Sequence, residues 1–190
     1  MNSLFFFDLL TNKKTEEELL AALPLPFQKH CLEHTFPKER MRSLLAWNGL
    51  VQELKKRNID PRDVDIKYGK AGKPEIDGFY FNIAHSGDLS VLLISDEECG
   101  VDIEVIEDTG KNIQRLSSRF LGPKEKAEFD ASKNPLSTFL CFWTKKEAYG
   151  KKSGVGITDL AMLKKDVPDS VVSKIVKDSG KKTYWLSYQL

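Results

Sequence analysis

Two stretches of helical periodicity, Pro37 to about Arg57 and Pro135 to about Lys152, are separated by a block of strand-like runs. In the first stretch Met41, Leu44, Leu45, Leu50, Val51 and Leu54 recur at helical spacing and share one face. Between the two, Phe79 to Ala84, Leu89 to Ser95 and Gly100 to Ile106 read as strands, the first pair joined around Ser86-Gly87-Asp88. Strands thus follow one another instead of alternating regularly with helices. That argues against a doubly wound parallel sheet and for an α+β fold.

The remaining segments fit the same class. Leu4 to Leu10 reads as a strand. Thr15 followed by Glu18 is a capping-box signature, opening a short helix that Pro24 and Pro26 end. Val64 to Tyr68 alternates as a strand, and Gly69 to Pro74 is a loop rich in Gly, Lys and Pro. Lys111 to Leu121 and Pro123 to Phe129 read as short helices, and Gly154 and Gly156 stop the long one. The tail supplies three strand candidates, Asp159 to Leu163, Val171 to Val176 and Thr183 to Tyr188. A seam near Asp96 to Cys99 divides the chain into similar halves, 1–98 and 99–190, each with strands and a long helix. A cleft between two such lobes is a natural ligand site.

Composition sets limits on partners and surroundings. A chain of 190 residues, 41% hydrophobic and 30% charged, can bury one good core or two small ones packed together. Lys and Arg (29) nearly cancel Asp and Glu (28), so no bulk field recruits nucleic acid or a membrane surface. Any anion site must come from locally placed cations. Cys31, Cys99 and Cys141 are far apart and odd in number, which argues against a disulfide framework and suits a reducing cytosol. The opening apolar run stops at Asp8 and reads as a strand rather than a leader. No segment approaches the roughly 18 apolar residues of a membrane helix. A cytoplasmic protein is the expectation.

Three segments carry chemistry. In Gly100-Val101-Asp102-Ile103-Glu104, strand alternation puts Asp102 and Glu104 on one face with α-carbons about 7 Å apart, and Val101, Ile103 and Val105 on the buried face. Two such carboxylates repel unless a cation sits between them, and a hard divalent ion suits oxygen ligands. A solvated strand face is the plain alternative. In Phe142 to Lys151, Trp143, Lys146 or Glu147, and Gly150 or Lys151 share one side of a helix. There Glu147 and Lys151 are either a surface ion pair or a third carboxylate with a phosphate-seeking cation. Gly72-Lys73-Pro74 is followed by Ile83-Ala84-His85-Ser86-Gly87, a turn whose imidazole and hydroxyl are also groups that grip phosphate.

In order and separation these segments resemble the motif series of the 4′-phosphopantetheinyl transferases. The series reads Gly72-Lys73-Pro74, then Phe81-Asn82-Ile83-Ala84-His85-Ser86-Gly87, Gly100 to Glu104, and Phe142 to Lys151. It is most similar to the longer, pseudo-dimeric branch that serves peptide, polyketide and fatty-acid synthases. The resemblance implies two lobes related by a pseudo-two-fold axis. It also implies a monomer that moves the phosphopantetheine arm of coenzyme A onto a serine of an acyl or peptidyl carrier protein. It implies Mg²⁺ or Mn²⁺ held by Asp102, Glu104 and Glu147. His85 and Lys151 would contact the coenzyme A phosphates, Lys73 in its loop with Pro74 would lie along the nucleotide, and Arg42 would hold the 3′-phosphate. Ser86 falls in the same phosphate-contacting motif. Glu125 aligns with a glutamate near the reacting hydroxyl, so the proton acceptor is Glu147, Glu125 or a metal-bound water. Two lysines usual before the Cys31 position are replaced by Phe27 and His30, and the chain is short for this branch. A phosphohydrolase using the same carboxylates and a non-catalytic binding module stay open beside transfer.

Overall fold

A computed structural model describes residues 2–69, 71–156 and 163–190. The amino-terminal half holds β1 (Ser3–Asp8), α1 (Glu16–Ala21), α2 (Leu25–Leu32), α3 (Pro37–Lys56), β2 (Lys67–Tyr68), β3 (Pro74–Glu75), β4 (Tyr80–Ser86) and β5 (Leu89–Ser95). The carboxy-terminal half holds β6 (Gly100–Val105), α4 (Ile113–Phe120), α5 (Pro123–Ala131), α6 (Pro135–Lys152), β7 (Val172–Lys177) and β8 (Thr183–Gln189). The α+β expectation is met. β1-β5-β4 and β6-β8-β7 are two antiparallel three-stranded sheets, each with its last strand central. In each half the long helix follows the first of these strands.

Burial explains the layering. One face of β5 presents Leu92 and Ile94 to Leu44, Trp47, Leu50, Val51 and Leu54 of α3. The other presents Leu89, Val91 and Leu93 to Val101, Ile103, Tyr184 and Leu186 of the second sheet. Covered on both sides, every residue of β5 is buried. The outer face of the second sheet meets α6: the hydroxyls of Thr144 and Ser187 lie 2.7 Å apart, and Trp185 Nε1 donates to Ser137 Oγ. Helix, sheet, sheet and helix therefore stack in that order.

Local chemistry sets the element ends. Thr15 and Glu18 form the expected capping box, each side chain accepting from the other's amide. Pro24 and Pro26 do end α1, but they also open α2, a helix the sequence reading passed over. Pro24 is its N-cap and Pro26 sits in the first turn, where a missing N–H costs nothing. The strand expected at Val64 to Tyr68 shrinks to Lys67–Tyr68, after a 3₁₀ turn at Pro61–Asp63 capped by Asp60. Val64 and Ile66 alternate because both pack on the α3 core, not because they join a ladder. The strand expected at Asp159 to Leu163 lies outside the described residues except for Leu163, which is buried.

Gly100 fixes how closely α6 approaches β6. A Cβ added there would stand 2.0 Å from the Ala148 carbonyl oxygen and 2.5 Å from the Lys152 amide, both backbone atoms that cannot swing aside. Gly100→Ala is expected to force the two elements apart and cost about 1–3 kcal/mol or more. A urea midpoint unchanged from wild type, at equal slope, would show that the approach is not tight.

Candidate active site

β6 is an edge strand of its sheet, so half of its amides have no ladder partner. Side chains of β4 supply them. Asn82 Oδ1 accepts from the Val101 amide at 2.8 Å, and Ser86 Oγ accepts from the Val105 amide at 3.1 Å. Asn82 and Ser86 are four apart on one strand face, matching the four-residue step from Val101 to Val105. This side-chain ladder sets the carboxylate strand against β4.

Asp102 and Glu104 share the β6 face turned toward α6, as strand alternation requires. Asp102 is buried; its Oδ1 accepts from Lys151 Nζ at 2.6 Å, and its Oδ2 is buried with no hydrogen-bond partner among the described residues. Glu104 Oε2 accepts from Ser86 Oγ at 2.8 Å. Burial pushes the Asp102 carboxyl above the ordinary range, against the pull of Lys151. Glu104 is raised by burial and by the charge of Asp102. Glu147, one helical turn before Lys151, is raised to about 7 by burial first, then by Asp102 and Glu104. Burial alone would lower Lys151, but Asp102 and Glu147 outweigh it and hold its pKa high.

Three mutually repelling carboxylates around one ammonium leave negative charge uncompensated. Among the described residues, no three His, Cys, Asp or Glu side chains are arranged to hold a metal ion as they stand. The donors nevertheless fit a hard divalent cation in kind: all are carboxylates, and Asp102 Oδ2 is a buried oxygen lacking a partner.

Facing this group, His85, Arg42 and Ser86 occupy the end of β4 and the start of α3. Arg42 Nη1 donates to the Gly87 carbonyl at 3.1 Å, while its buried Nε finds no partner among the described residues. His85 is held down at about 4 by burial first, then by Arg42, His34 and Lys151. Burial beside these cations therefore favours the neutral imidazole in the ligand-free protein. Ser86 orients Glu104 and caps Val105, so its hydroxyl is already engaged. Lys73 is half-buried, with Nζ donating to Glu98 and to the Cys99 carbonyl at 3.0 Å each, where it anchors the segment entering β6. Pro74 pairs with Tyr68 in the small β2–β3 ladder.

Glu125 lies apart from these groups, inside the α5–α6 packing. Its Oε2 accepts from the Gly122 amide and pairs with Lys146 Nζ, each at 2.7 Å, and its Oε1 accepts from the Val167 amide at 2.9 Å. Both oxygens are used in holding structure. Sequence reading missed this pair, although Lys146 is buried on the helix that carries Glu147. It named His30 only as a departure from the usual lysine and passed over His34, whose ring lies edge to face with those of His30 and His85. Only their number, three histidines in the whole chain, hinted at a cluster.

A cavity of about 490 Å³ opens beside the carboxylates. Ser86, Glu104 and Glu147 form one end, Lys111 and Glu107 stand on the rim, and Leu116, Phe120, Phe139 and Trp143 make the apolar wall. Ile113, Leu116 and Phe120 are half-buried and face this groove, the first two packed on the α5–α6 cluster and Phe120 edge to face with Trp143.

The raised carboxylate gives a pH test. Glu147 binds a proton more tightly when folded (about 7) than at its ordinary value of 4.5. Its contribution to stability is therefore complete below the ordinary value and is lost as pH rises through the folded one. Other carboxylates, such as Asp88, are lowered and act in the opposite sense, so the difference between proteins is what counts. In metal-free buffer, Glu147→Gln is expected to gain stability relative to wild type as pH rises across that window. Parallel curves of urea midpoint against pH would contradict it.

Residues 98–188 match the model of the 4′-phosphopantetheinyl transferase superfamily. The chain is 30% identical over 161 residues to the putative 4′-phosphopantetheinyl transferase slr0495 of Synechocystis, covering 78% of this chain and 64% of that protein. It is 29% identical over 157 residues to the 4′-phosphopantetheinyl transferase HetI of Nostoc, covering 77% of this chain and 62% of that one. To the 4′-phosphopantetheinyl transferase AcpT of Escherichia coli it is 42% identical over 96 residues, 47% of this chain and 49% of AcpT. The chain thus spans about half to two thirds of the length of these relatives.

Proposed function

We propose, for a chain that belongs through residues 98–188 to the 4′-phosphopantetheinyl transferase superfamily, that it transfers phosphopantetheine from coenzyme A to a serine of a carrier protein. The observation that carries this reading is the group of buried Asp102 with half-buried Glu104, Glu147 and Lys151, set against Arg42 and His85. An anionic pyrophosphate laid between them meets cations on both sides. The 1–98 and 99–190 halves are read as pseudo-symmetric lobes with the substrate in the cleft at their seam. Their equal strand orders and equivalent long helices support that reading. We place the chain in the longer, pseudo-dimeric branch and expect a monomer.

Asp102, Glu104 and Glu147 would hold a Mg²⁺ ion, which when bound supplies positive charge to the pyrophosphate oxygens. Lys151 exchanges its bond to Asp102 for a phosphate oxygen, a move its flexible stem permits. Neutral His85 donates one N–H to phosphate, and Arg42 offers its unpartnered Nε. The carrier serine oxygen bonds to the β-phosphorus while the bond to the leaving 3′,5′-ADP breaks. Of the candidate acceptors for the serine proton we favour Glu147, the carboxylate that stands in this group beside Lys151. Glu125 has both oxygens engaged elsewhere.

Apo carrier protein, coenzyme A and Mg²⁺ are the test. A carrier mass increased by one phosphopantetheine supports transfer. Coenzyme A cleavage without that gain marks a phosphohydrolase, and binding with neither marks a binding module. The apolar groove with Lys111 on its rim, together with Lys124 at the start of α5, is the proposed carrier-docking face. Rim charges set association rate more than affinity for other ligands. Reversing Lys111 and Lys124 to glutamate is expected to raise the Michaelis constant for an acidic carrier and leave that for coenzyme A unchanged. Equal carrier constants would place docking elsewhere.

A further inference from the structure

The β4–β5 hairpin turns on two residues, with Ser86 and Leu89 as its last paired positions. Gly87 takes a φ of 55° and Asp88 does not follow it into the left-handed region, the arrangement in which Gly comes first. The ladder therefore gives no hydrogen bond to the peptide joining Gly87 to Asp88. That peptide is one rigid plane, with its C=O and its N–H pointing to opposite sides. The turn types differ mainly in how this central plane is rotated, so its orientation depends on what grips it from outside the hairpin.

Both sides of the plane are gripped. On one, Arg42 Nη1 donates to the Gly87 carbonyl at 3.1 Å. On the other, the Asp88 amide donates to the Tyr184 hydroxyl at 3.1 Å, and Tyr184 is fully buried on β8 of the second sheet. That hydroxyl has one proton, which goes to Asp178 Oδ2 at 2.7 Å, so its oxygen is left to accept from the Asp88 amide. Asp178 is fixed in turn, its Oδ1 accepting from the Lys182 amide at 2.8 Å. The turn lies against the ring, since a Cβ on Gly87 would stand 2.7 Å from the Tyr184 hydroxyl. Other contacts hold the flanks and not the plane. Ser86 is pinned by Glu104 and the Val105 amide, and the Asp88 carbonyl accepts from the Leu9 amide at 2.9 Å. The Asp88 carboxylate pairs with Lys38 at 2.6 Å and Lys182 at 3.2 Å.

We propose that Tyr184, oriented by Asp178, is a positioning residue for the reaction: through the Gly87–Asp88 peptide it aims the Arg42 guanidinium at the substrate. This rests on the transferase reading above. The Arg42 backbone is already tied to β5, its carbonyl accepting from Ser90 Oγ at 2.9 Å, so what remains to be set is the guanidinium. Glu39, at 3.9 Å, holds it more loosely than the Gly87 carbonyl does. With Nη1 committed to that carbonyl, Nε, which has no partner among the described residues, is left for a phosphate oxygen. A tyrosine of the carboxy-terminal half thus sets the aim of a cation of the amino-terminal half. Because Ser86 keeps its own bonds, the carboxylate group is left undisturbed when the tyrosine hydroxyl is removed.

The test is steady-state transfer by the full chain with coenzyme A, Mg²⁺ and apo carrier protein. Tyr184→Phe keeps the ring and removes the hydroxyl. It is expected to raise the Michaelis constant for coenzyme A about tenfold, the scale of one hydrogen bond to a charged group, with kcat and the carrier constant within about twofold of wild type. Lost stability alone would reduce the active fraction, so a variant that loses only kcat overturns the proposal. In an Arg42→Ala background, Tyr184→Phe should raise the coenzyme A constant no further, because both act through one peptide. Full additivity of the two changes overturns it. Lys38→Met and Lys182→Met remove only the pairs to the Asp88 carboxylate and should leave the constant as in wild type. A rise equal to that of Tyr184→Phe would show that the carboxylate sets the turn, and the proposal fails. If Tyr184→Phe does not fold, Asp178→Asn decides. It keeps the tyrosine, weakens the bond that orients it, and should raise the same constant by a smaller factor; no rise overturns the proposal. Wild-type transfer matched by Tyr184→Phe overturns the positioning role and leaves the transferase reading standing. A wild type that neither binds coenzyme A nor transfers overturns both.

Discussion

Asp102→Ala is expected to lower phosphopantetheine transfer by on the order of 10²–10³, the usual loss when a central electrostatic stabiliser is removed. Asp102 is the innermost of the three carboxylates, and it raises the pKa of both Glu104 and Glu147. Its removal should let Glu147 ionise at lower pH, a shift that carboxyl-carbon NMR of the folded variant can read. Metal-free stability should not fall, because a buried carboxylate with one unpartnered oxygen and two like-charged neighbours is costly to keep. Lys151 keeps Glu147 as a partner for its charge. Near wild-type transfer in Asp102→Ala would falsify the carboxylate assignment. Lost transfer together with lost folding would instead mark Asp102 as structural.

Lys146→Met should have the largest effect on stability, about 3–5 kcal/mol, as when one partner of a buried ion pair is removed. Lys146 Nζ sits 2.7 Å from Glu125 Oε2 and donates to the Lys165 carbonyl at 2.6 Å, with both charged side chains almost wholly buried. Methionine matches the volume but leaves the Glu125 charge stranded. Adding Glu125→Gln removes that charge while keeping an oxygen for the Gly122 or Val167 amide, so the double variant should recover part of the loss. Urea midpoints at constant slope measure both effects. The same variants separate two roles for Glu125. As a structural anchor, Glu125→Gln changes stability and leaves transfer within a few-fold of wild type. A hundredfold loss of transfer at unchanged stability would return Glu125 to the chemistry.

Much of the site could be read along the chain because it is built from short-range regularities. Asp102 and Glu104 share a face because a strand alternates, and Glu147 and Lys151 share one because a helix turns every 3.6 residues. Thr15 and Glu18 made the box that their spacing announces. Errors arose where local pattern and tertiary packing disagree. Pro24 and Pro26 read as terminators, yet a proline that ends one helix suits the first turn of the next. Val64 and Ile66 alternate as in a strand because the α3 core takes both side chains.

Residue order alone determined the two long helices, the central strands and the opposed faces of Gly100 to Val105, since each depends on periodicity within a few residues. The tertiary structure decided what those side chains do. It set the Ser86 hydroxyl on Glu104, favoured neutral His85 by burying it beside Arg42, and paired Glu125 with Lys146. It also gathered three histidines from positions 30, 34 and 85 into one row. Burial and charge depend on neighbours distant in the chain, and a pKa or a partner is a property of the assembled surroundings, which no local spacing records.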